Sequence, residues 1–190
     1  MPINTLTPSE LKSIADNIND KIEEYSYETL KQEPRKHLGI SEIGKPCVRA
    51  IYYKFRWMKF EEFNGRMLRL FNRGHREEER YVKLLEGIGC KVERFDENGK
   101  QFRISSEICM GHYGGSCDGQ AITPWAPNKF LLEFKTHNTN SFSKYVNTPN
   151  NEGLHKTKPQ HLDQMNGYGY HMQLEYGIYF PENKNDDDIK

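Results

Sequence analysis

No C-x-x-C pair occurs among the four cysteines, which stand singly at positions 47, 90, 109 and 117, so their spacing offers no compact zinc site. No apolar run approaches the ~20 residues that a membrane-spanning helix requires, and no membrane partner is expected. The opening residues, Met1 to Glu10, are polar and lack the apolar centre of a secretory signal. A soluble, cytoplasmic protein with reduced thiols is the resulting expectation. An excess of one charge is also lacking: 27 basic residues balance 27 acidic ones, which removes any global positive field for nucleic acid. That balance still admits a DNA enzyme, because its cations need cluster only locally and a metal site needs acids. P-loop, Rossmann, H-E-x-x-H and G-x-S-x-G patterns are absent, so coupling to an ATP-driven motor would have to come from another chain.

What is present suits one domain with a modest, aromatic-rich core. Of the 190 residues, 35% are hydrophobic and 28% charged, yet the chain carries 11 Tyr and 10 Phe, unlike a disordered sequence. Thr7-Pro8-Ser9-Glu10 reads as a capping box opening a helix with Leu11, Ile14, Ile18 and Ile22 along one face, ended at the latest by Pro34. A short helix carries Val48, Ile51, Tyr52 and Phe55, and a longer one runs from about 62 to 87, interrupted at Gly74 and ended by Gly87 and Gly89. The period then changes. Strands are expected at 90–95, 101–109, 116–122 and 129–136, with an Asn98-Gly99 turn after the first. Residues 138–156 read as a loop with one short helical piece, Pro159 opens a helix to about Met172, and 175–180 reads as a last strand. Asn183 to Asp188 reads as a turn and Ile189-Lys190 as the start of another strand, so a truncated C-terminus is expected. This order predicts an α/β fold, a small mixed β-sheet flanked by helices, with a helical N-terminal region (1–60) and a catalytic core (61–182).

The chemistry concentrates in two segments. Gly114-Gly115-Ser116-Cys117-Asp118-Gly119 sets one acid at a glycine-rich turn, and Leu131-Leu132-Glu133-Phe134-Lys135-Thr136 sets a carboxylate and an amine two residues apart on a strand. Residues i and i+2 share a face, so Glu133 and Lys135 project together while Leu132 and Phe134 point into a core. Asp118, Glu133 and the Phe134 carbonyl are candidate oxygen ligands for Mg²⁺ or Mn²⁺, with Lys135 orienting a water for phosphodiester hydrolysis.

These two motifs resemble those of the PD-(D/E)XK nuclease superfamily, in its RecB-like and lambda-exonuclease-like branch, where the proline of the family name is commonly absent. Two further segments extend the resemblance over about residues 40 to 180. Arg73-Gly74-His75-Arg76-Glu77-Glu78 is similar to the branch's first motif, with Glu78 as the helical acid, Glu77 as its rival and His75 where some members carry a metal-binding histidine. Gln160 to Tyr168 is similar to the helix after the Glu-x-Lys strand, which implies that Gln164 and Tyr168, one turn apart, support the site. The resemblance implies a restriction-endonuclease-like core and a metal-dependent DNA nuclease. An exonuclease of phage or mobile-element recombination is favoured, which would place the chain in the host cytoplasm. Alternatives are an endonuclease of restriction, transposition or CRISPR-adaptation type, or a non-catalytic nucleic-acid-binding protein retaining the fold. Lambda-type relatives form ring-shaped trimers, so a homo-oligomer or a recombination partner protein is also implied.

Cations and aromatics alternate over residues 45 to 57. Lys45, Arg49, Lys54 and Arg56 are candidate phosphate contacts; an amphipathic helix with core aromatics explains the same pattern. In some RecB-like members a cysteine placed like Cys47 binds an iron–sulfur cluster with three C-terminal cysteines. No such trio follows Cys117 in this sequence, so a cluster would need cysteines in the C-terminal part expected to be missing, and Cys90, Cys109 and Cys117 read as buried thiols on strands. Of the scattered histidines, His137 directly follows the Glu-x-Lys strand and stands where it could approach the phosphate.

Overall fold

In the computed structural model, residues 6–33, 35–58 and 62–190 are described, Asn151 by its backbone only. Helix α1 (Pro8–Leu30) begins with the expected capping box: the Glu10 N–H donates to Thr7 Oγ1 at 3.3 Å and the Thr7 N–H to Glu10 Oε2 at 2.8 Å. Pro34, the expected stop, lies outside the described residues. There follow β1 (Leu38–Gly39), a 3-10 turn (Ile40–Glu42), α2 (Val48–Phe55), α3 (Gly65–Gly87), β2 (Lys91–Glu93), β3 (Arg103–Ser105), β4 (Tyr113–Ser116), β5 (Gly119–Thr123) and β6 (Ala126–His137). The chain continues through α4 (Thr139–Val146), a 3-10 turn (Pro149–Asn151), α5 (Gly153–Thr157), α6 (Pro159–Met172), β7 (Tyr176–Asn183) and β8 (Asp188–Ile189). Among the described residues no helix is long and apolar enough to cross a membrane.

The chain divides into two compact units, one within Met1–Pro34 and Glu61–His75, the other within Arg35–Phe60 and Arg76–Lys190. The expected boundary between residues 60 and 61 lies outside the described residues. In the first unit Glu23 holds α1 to the start of α3. Its carboxylate accepts from the Arg66 N–H at 3.1 Å and from Arg69 Nη1 at 3.2 Å. The apolar stripe of α1 is exposed at Leu11, Ile14, Ile18 and Ile22.

The second unit is an α/β arrangement, as expected, but built on two small sheets rather than one. A five-stranded mixed sheet runs in the order β2-β5-β6-β7-β8, with β6 and β7 parallel and the other pairs antiparallel. The second sheet is β1-β4-β3, with β1 and β4 parallel. Helices α4, α5 and α6 form the crossover that a parallel β6–β7 pair demands. Alternation along β6 then builds two cores. Leu132 and Phe134 pack with Tyr81 and Leu85 of α3, whereas Leu131 packs with Met165 and Tyr168 of α6. Burying a side chain such as Leu132, fully shielded here, is worth about 2 kcal/mol.

Several expected elements change. The strand expected over 116–122 is split between the two sheets. Gly119 takes φ +154°, and the Asp118 carboxylate rather than a ladder carbonyl accepts the Phe134 N–H, so the chain leaves β4 and enters β5 at that point. The strand expected over 101–109 is only β3, because residues 107–111 turn back; Cys109 therefore lies in a turn and is partly exposed rather than buried on a strand. Gly74 does not interrupt α3, and the loop expected over 138–156 holds two short helices and a 3-10 turn. The last strand extends to Asn183 and gains β8 as a partner.

Candidate active site

Strand β6 presents Glu133 and Lys135 on the face toward α6. Glu133 is 0% exposed, and its Oε1 accepts from Gln164 Nε2 at 2.7 Å and from the Lys135 ammonium. Its Oε2 is buried without a hydrogen-bond partner. Water is a far better solvent for a carboxylate than a protein interior, so such an oxygen is costly unless something cationic approaches it. Burial pushes the Glu133 carboxyl pKa upward; Lys135 opposes that shift, while Asp118 and then Glu78 add to it. The Lys135 ammonium is held charged: burial works against it, but Glu133 and Asp118 outweigh the penalty and raise its pKa. Lys135 also donates to the Phe134 carbonyl at 3.3 Å.

Asp118 enters from the β4–β5 junction. One of its oxygens accepts the Phe134 N–H at 2.7 Å, which pins the acid beside Glu133. Glu78 arrives from α3, as expected, and is held by Arg94, a residue that carries no motif in the sequence. Arg94 Nη2 donates to Glu78 Oε2 at 2.9 Å, and Arg94 Nε to the Asp118 carbonyl at 3.1 Å, so one guanidinium ties the helical acid to the turn that presents Asp118. The adjacent glutamates have different partners. Glu77 instead pairs with Arg80 at 2.7 Å, and Arg80 also reaches the buried Glu182.

Gln164 and Tyr168 lie on one face of α6, as their spacing predicts. Gln164 fixes Glu133, and the Tyr168 hydroxyl donates to the Ser116 carbonyl at 2.6 Å, holding the turn before Asp118. Gly115 permits that approach, because a Cβ there would stand 2.6 Å from Tyr168 Oη. Burial, with the Glu133 and Asp118 charges, drives the Tyr168 pKa upward and keeps its proton available to donate.

The other candidates fall elsewhere. His75 is exposed on α3 and belongs to the first unit. Lys45 and Lys54 both bind Glu42, at 2.7 and 3.0 Å, whereas Arg49 and Arg56 are exposed; α2 contains no buried residue, so its aromatics are not core. Cys47 is exposed, and the buried Cys117 thiol is pushed up to about 12 by burial and then by Asp118, which makes it inert. Among the described residues no three His, Cys, Asp or Glu side chains converge as a ready ligand set. Arg94 and Lys135 are instead the cations that meet the carboxylates. The unpartnered Glu133 Oε2, Asp118 and the Phe134 carbonyl are oxygen donors of the kind that would hold a divalent ion.

At the end of β6, the Tyr179 hydroxyl bridges His137 Nε2 at 2.8 Å and His161 Nδ1 at 2.7 Å. In sequence His137 stands out by its place after the Glu-x-Lys motif, but forty-two residues separate it from Tyr179, so spacing carries no signal of the bridge. Burial, and then neighbouring lysines, push His137 down to about 4 and His161 down to about 3. Both imidazoles are thus neutral in the fold yet would take up protons near pH 6.5 when unfolded. Their depressed pKa values give stability that is complete above pH 6.5 and falls as pH drops toward 4; Glu133, shifted the other way, changes stability in the opposite sense. Urea denaturation across pH 4 to 7 should therefore show a shallower acid loss in His161→Asn than in wild type, by up to about 1.4 kcal/mol per pH unit. An identical pH profile in the variant would refute the assignment.

No protein-family model matches this chain, and no curated protein matches it. The crystal structure of SSO0001 is similar to it, with a TM-score of 0.45 and 14% identity, over 94% of this chain and 76% of that one.

Proposed function

We propose that this chain is a Mg²⁺- or Mn²⁺-dependent DNA nuclease, with a restriction-endonuclease-like core and Glu133, Asp118 and Lys135 at its centre. The observation that carries the reading is Glu133: a fully buried carboxylate, held through one oxygen by Gln164 and Lys135, with its other oxygen unpartnered. That arrangement costs stability unless the site handles a cation. Held by Glu133 and Asp118 with the Phe134 carbonyl, the ion would supply Lewis acidity and offset phosphate charge.

The protein's own groups do the remaining work. Gln164 holds Glu133 through Oε1 and leaves Oε2 unpartnered. Tyr168 and Arg94 hold the two sides of the Asp118 turn. The Lys135 ammonium, anchored on Glu133, orients the attacking water and stabilises the negative charge growing on the phosphoryl oxygens. In-line attack at phosphorus would leave a 5′-phosphate and a 3′-hydroxyl. The exonuclease reading rests on the motif resemblance. Incubation of end-labelled linear duplex and closed circular DNA with Mg²⁺ or Mn²⁺, with and without EDTA, tests it. Metal-dependent loss of the linear substrate alone is expected. Nicking of the circle would assign an endonuclease, and no cleavage of either would overturn the nuclease reading.

A further inference from the structure

Beyond Lys135 the same strand runs into a cavity of 510 Å³, whose lining includes Lys135, His137, Ser141, Thr157, Lys158 and His161. The volume suits a small ligand. Its chemistry is one-sided: ammonium, imidazole and hydroxyl groups, with no carboxylate among the lining residues. Among the described residues Lys158 makes no ion pair with a carboxylate; its ammonium donates to Ser141 Oγ, which contacts His137 Nδ1 at 3.3 Å. The chain continues through the Tyr179 hydroxyl to His161, and the two imidazoles stack at 5.9 Å with an interplanar angle of 23°. This network fixes the ring orientations, with His161 bonded through Nδ1 and its ring among the lining residues. The N-terminus of α6 opens on the same space, through Lys158, Pro159 and Gln160, and adds its positive end.

We propose that this cavity is a phosphate-binding subsite, taking a phosphate monoester through Lys158, Ser141 and His161 beside Lys135. A phosphate dianion has the charge that Lys158 lacks as a partner and enough acceptor oxygens for several donors at once. The local field is already unbalanced: burial and then Lys144 press the Lys158 pKa down, as expected where cations crowd without an anion. Two sources share this chemistry, a terminal phosphate on DNA and a free mononucleotide. Only the first rests on the nuclease reading.

Titration calorimetry of the full chain in EDTA, with inorganic phosphate, a deoxynucleoside 5′-monophosphate and the matching unphosphorylated nucleoside, tests the proposal independently of cleavage. Both phosphates should bind, and the nucleoside should not. Lys158→Gln and, separately, Ser141→Ala, each with an unchanged melting temperature, should weaken phosphate binding at least tenfold and about threefold. Comparing duplexes with and without a terminal phosphate, again in EDTA, separates the sources. Tighter binding of the phosphorylated end assigns the DNA terminus, and equal binding of the two duplexes assigns the mononucleotide. Absence of phosphate binding, or binding that Lys158→Gln leaves intact, would overturn the subsite while leaving metal-dependent cleavage untouched.

Discussion

Glu133→Gln should abolish metal-dependent DNA cleavage, lowering the rate by about 10³-fold or more, while the protein stays folded. The substitution preserves the volume of a fully buried side chain and leaves an amide oxygen to accept from Gln164 Nε2. What it removes is the charge behind the unpartnered Oε2, the oxygen best suited to a divalent ion. A loss of 10³ corresponds to about 4 kcal/mol of transition-state stabilisation, within reach of one metal-anchoring carboxylate. Replacing a buried ionised group by a neutral isostere is often close to neutral for folding. A variant that unfolds at the wild-type urea midpoint and cleaves at the wild-type rate would remove Glu133 from the chemistry.

Lys135→Met should have the second largest effect, on stability as well as on activity. The ammonium is the cation bonded to Glu133, and its side chain is only 28% exposed. Without it, a fully buried carboxylate loses its counter-charge, a change that costs about 3 kcal/mol while the group stays ionised. The pH dependence has a definite sign. Burial already raises the Glu133 pKa, and losing Lys135 raises it further. A carboxyl with a raised folded-state pKa is best tolerated when protonated, below its unfolded value, and destabilises increasingly as pH climbs through the folded one. The deficit of Lys135→Met should therefore be small at pH 5 and large at pH 8. Adding Glu133→Gln to Lys135→Met should restore most of the stability and none of the activity. Additive losses in that double-mutant cycle would contradict a direct charge pair.

Local signals carried much of this site. The two-residue period of Glu133 and Lys135 placed both on one face, and the four-residue spacing of Gln164 and Tyr168 placed them on one helical stripe. Both relations are enforced by backbone geometry and need no tertiary information. Glu77 and Glu78 are indistinguishable in sequence, because each follows Gly74 at helical spacing; in the fold they differ in that Arg80 pairs with Glu77 and Arg94 with Glu78. Arg94 itself carried no motif, since its role depends on where the β2 segment falls against Asp118. The division of residues 116–122 between β4 and β5 has a similar origin. Alternating polarity looks continuous across Cys117 and Asp118, but the Asp118 side chain takes the Phe134 N–H and breaks the ladder there. The Lys158–Ser141–His137–Tyr179–His161 chain joins two helices and two strands, and only the β6–β7 crossover brings them together.

The most direct measurement is anomalous diffraction from a crystal of the whole chain soaked in Mn²⁺. A peak about 2.1 Å from Glu133 Oε2, shared with an Asp118 oxygen, is expected, with Lys135 withdrawn from the Phe134 carbonyl. An active protein whose Mn²⁺ binds away from Glu133, with Oε2 still unpartnered, would contradict the assignment of this carboxylate as the centre of the site.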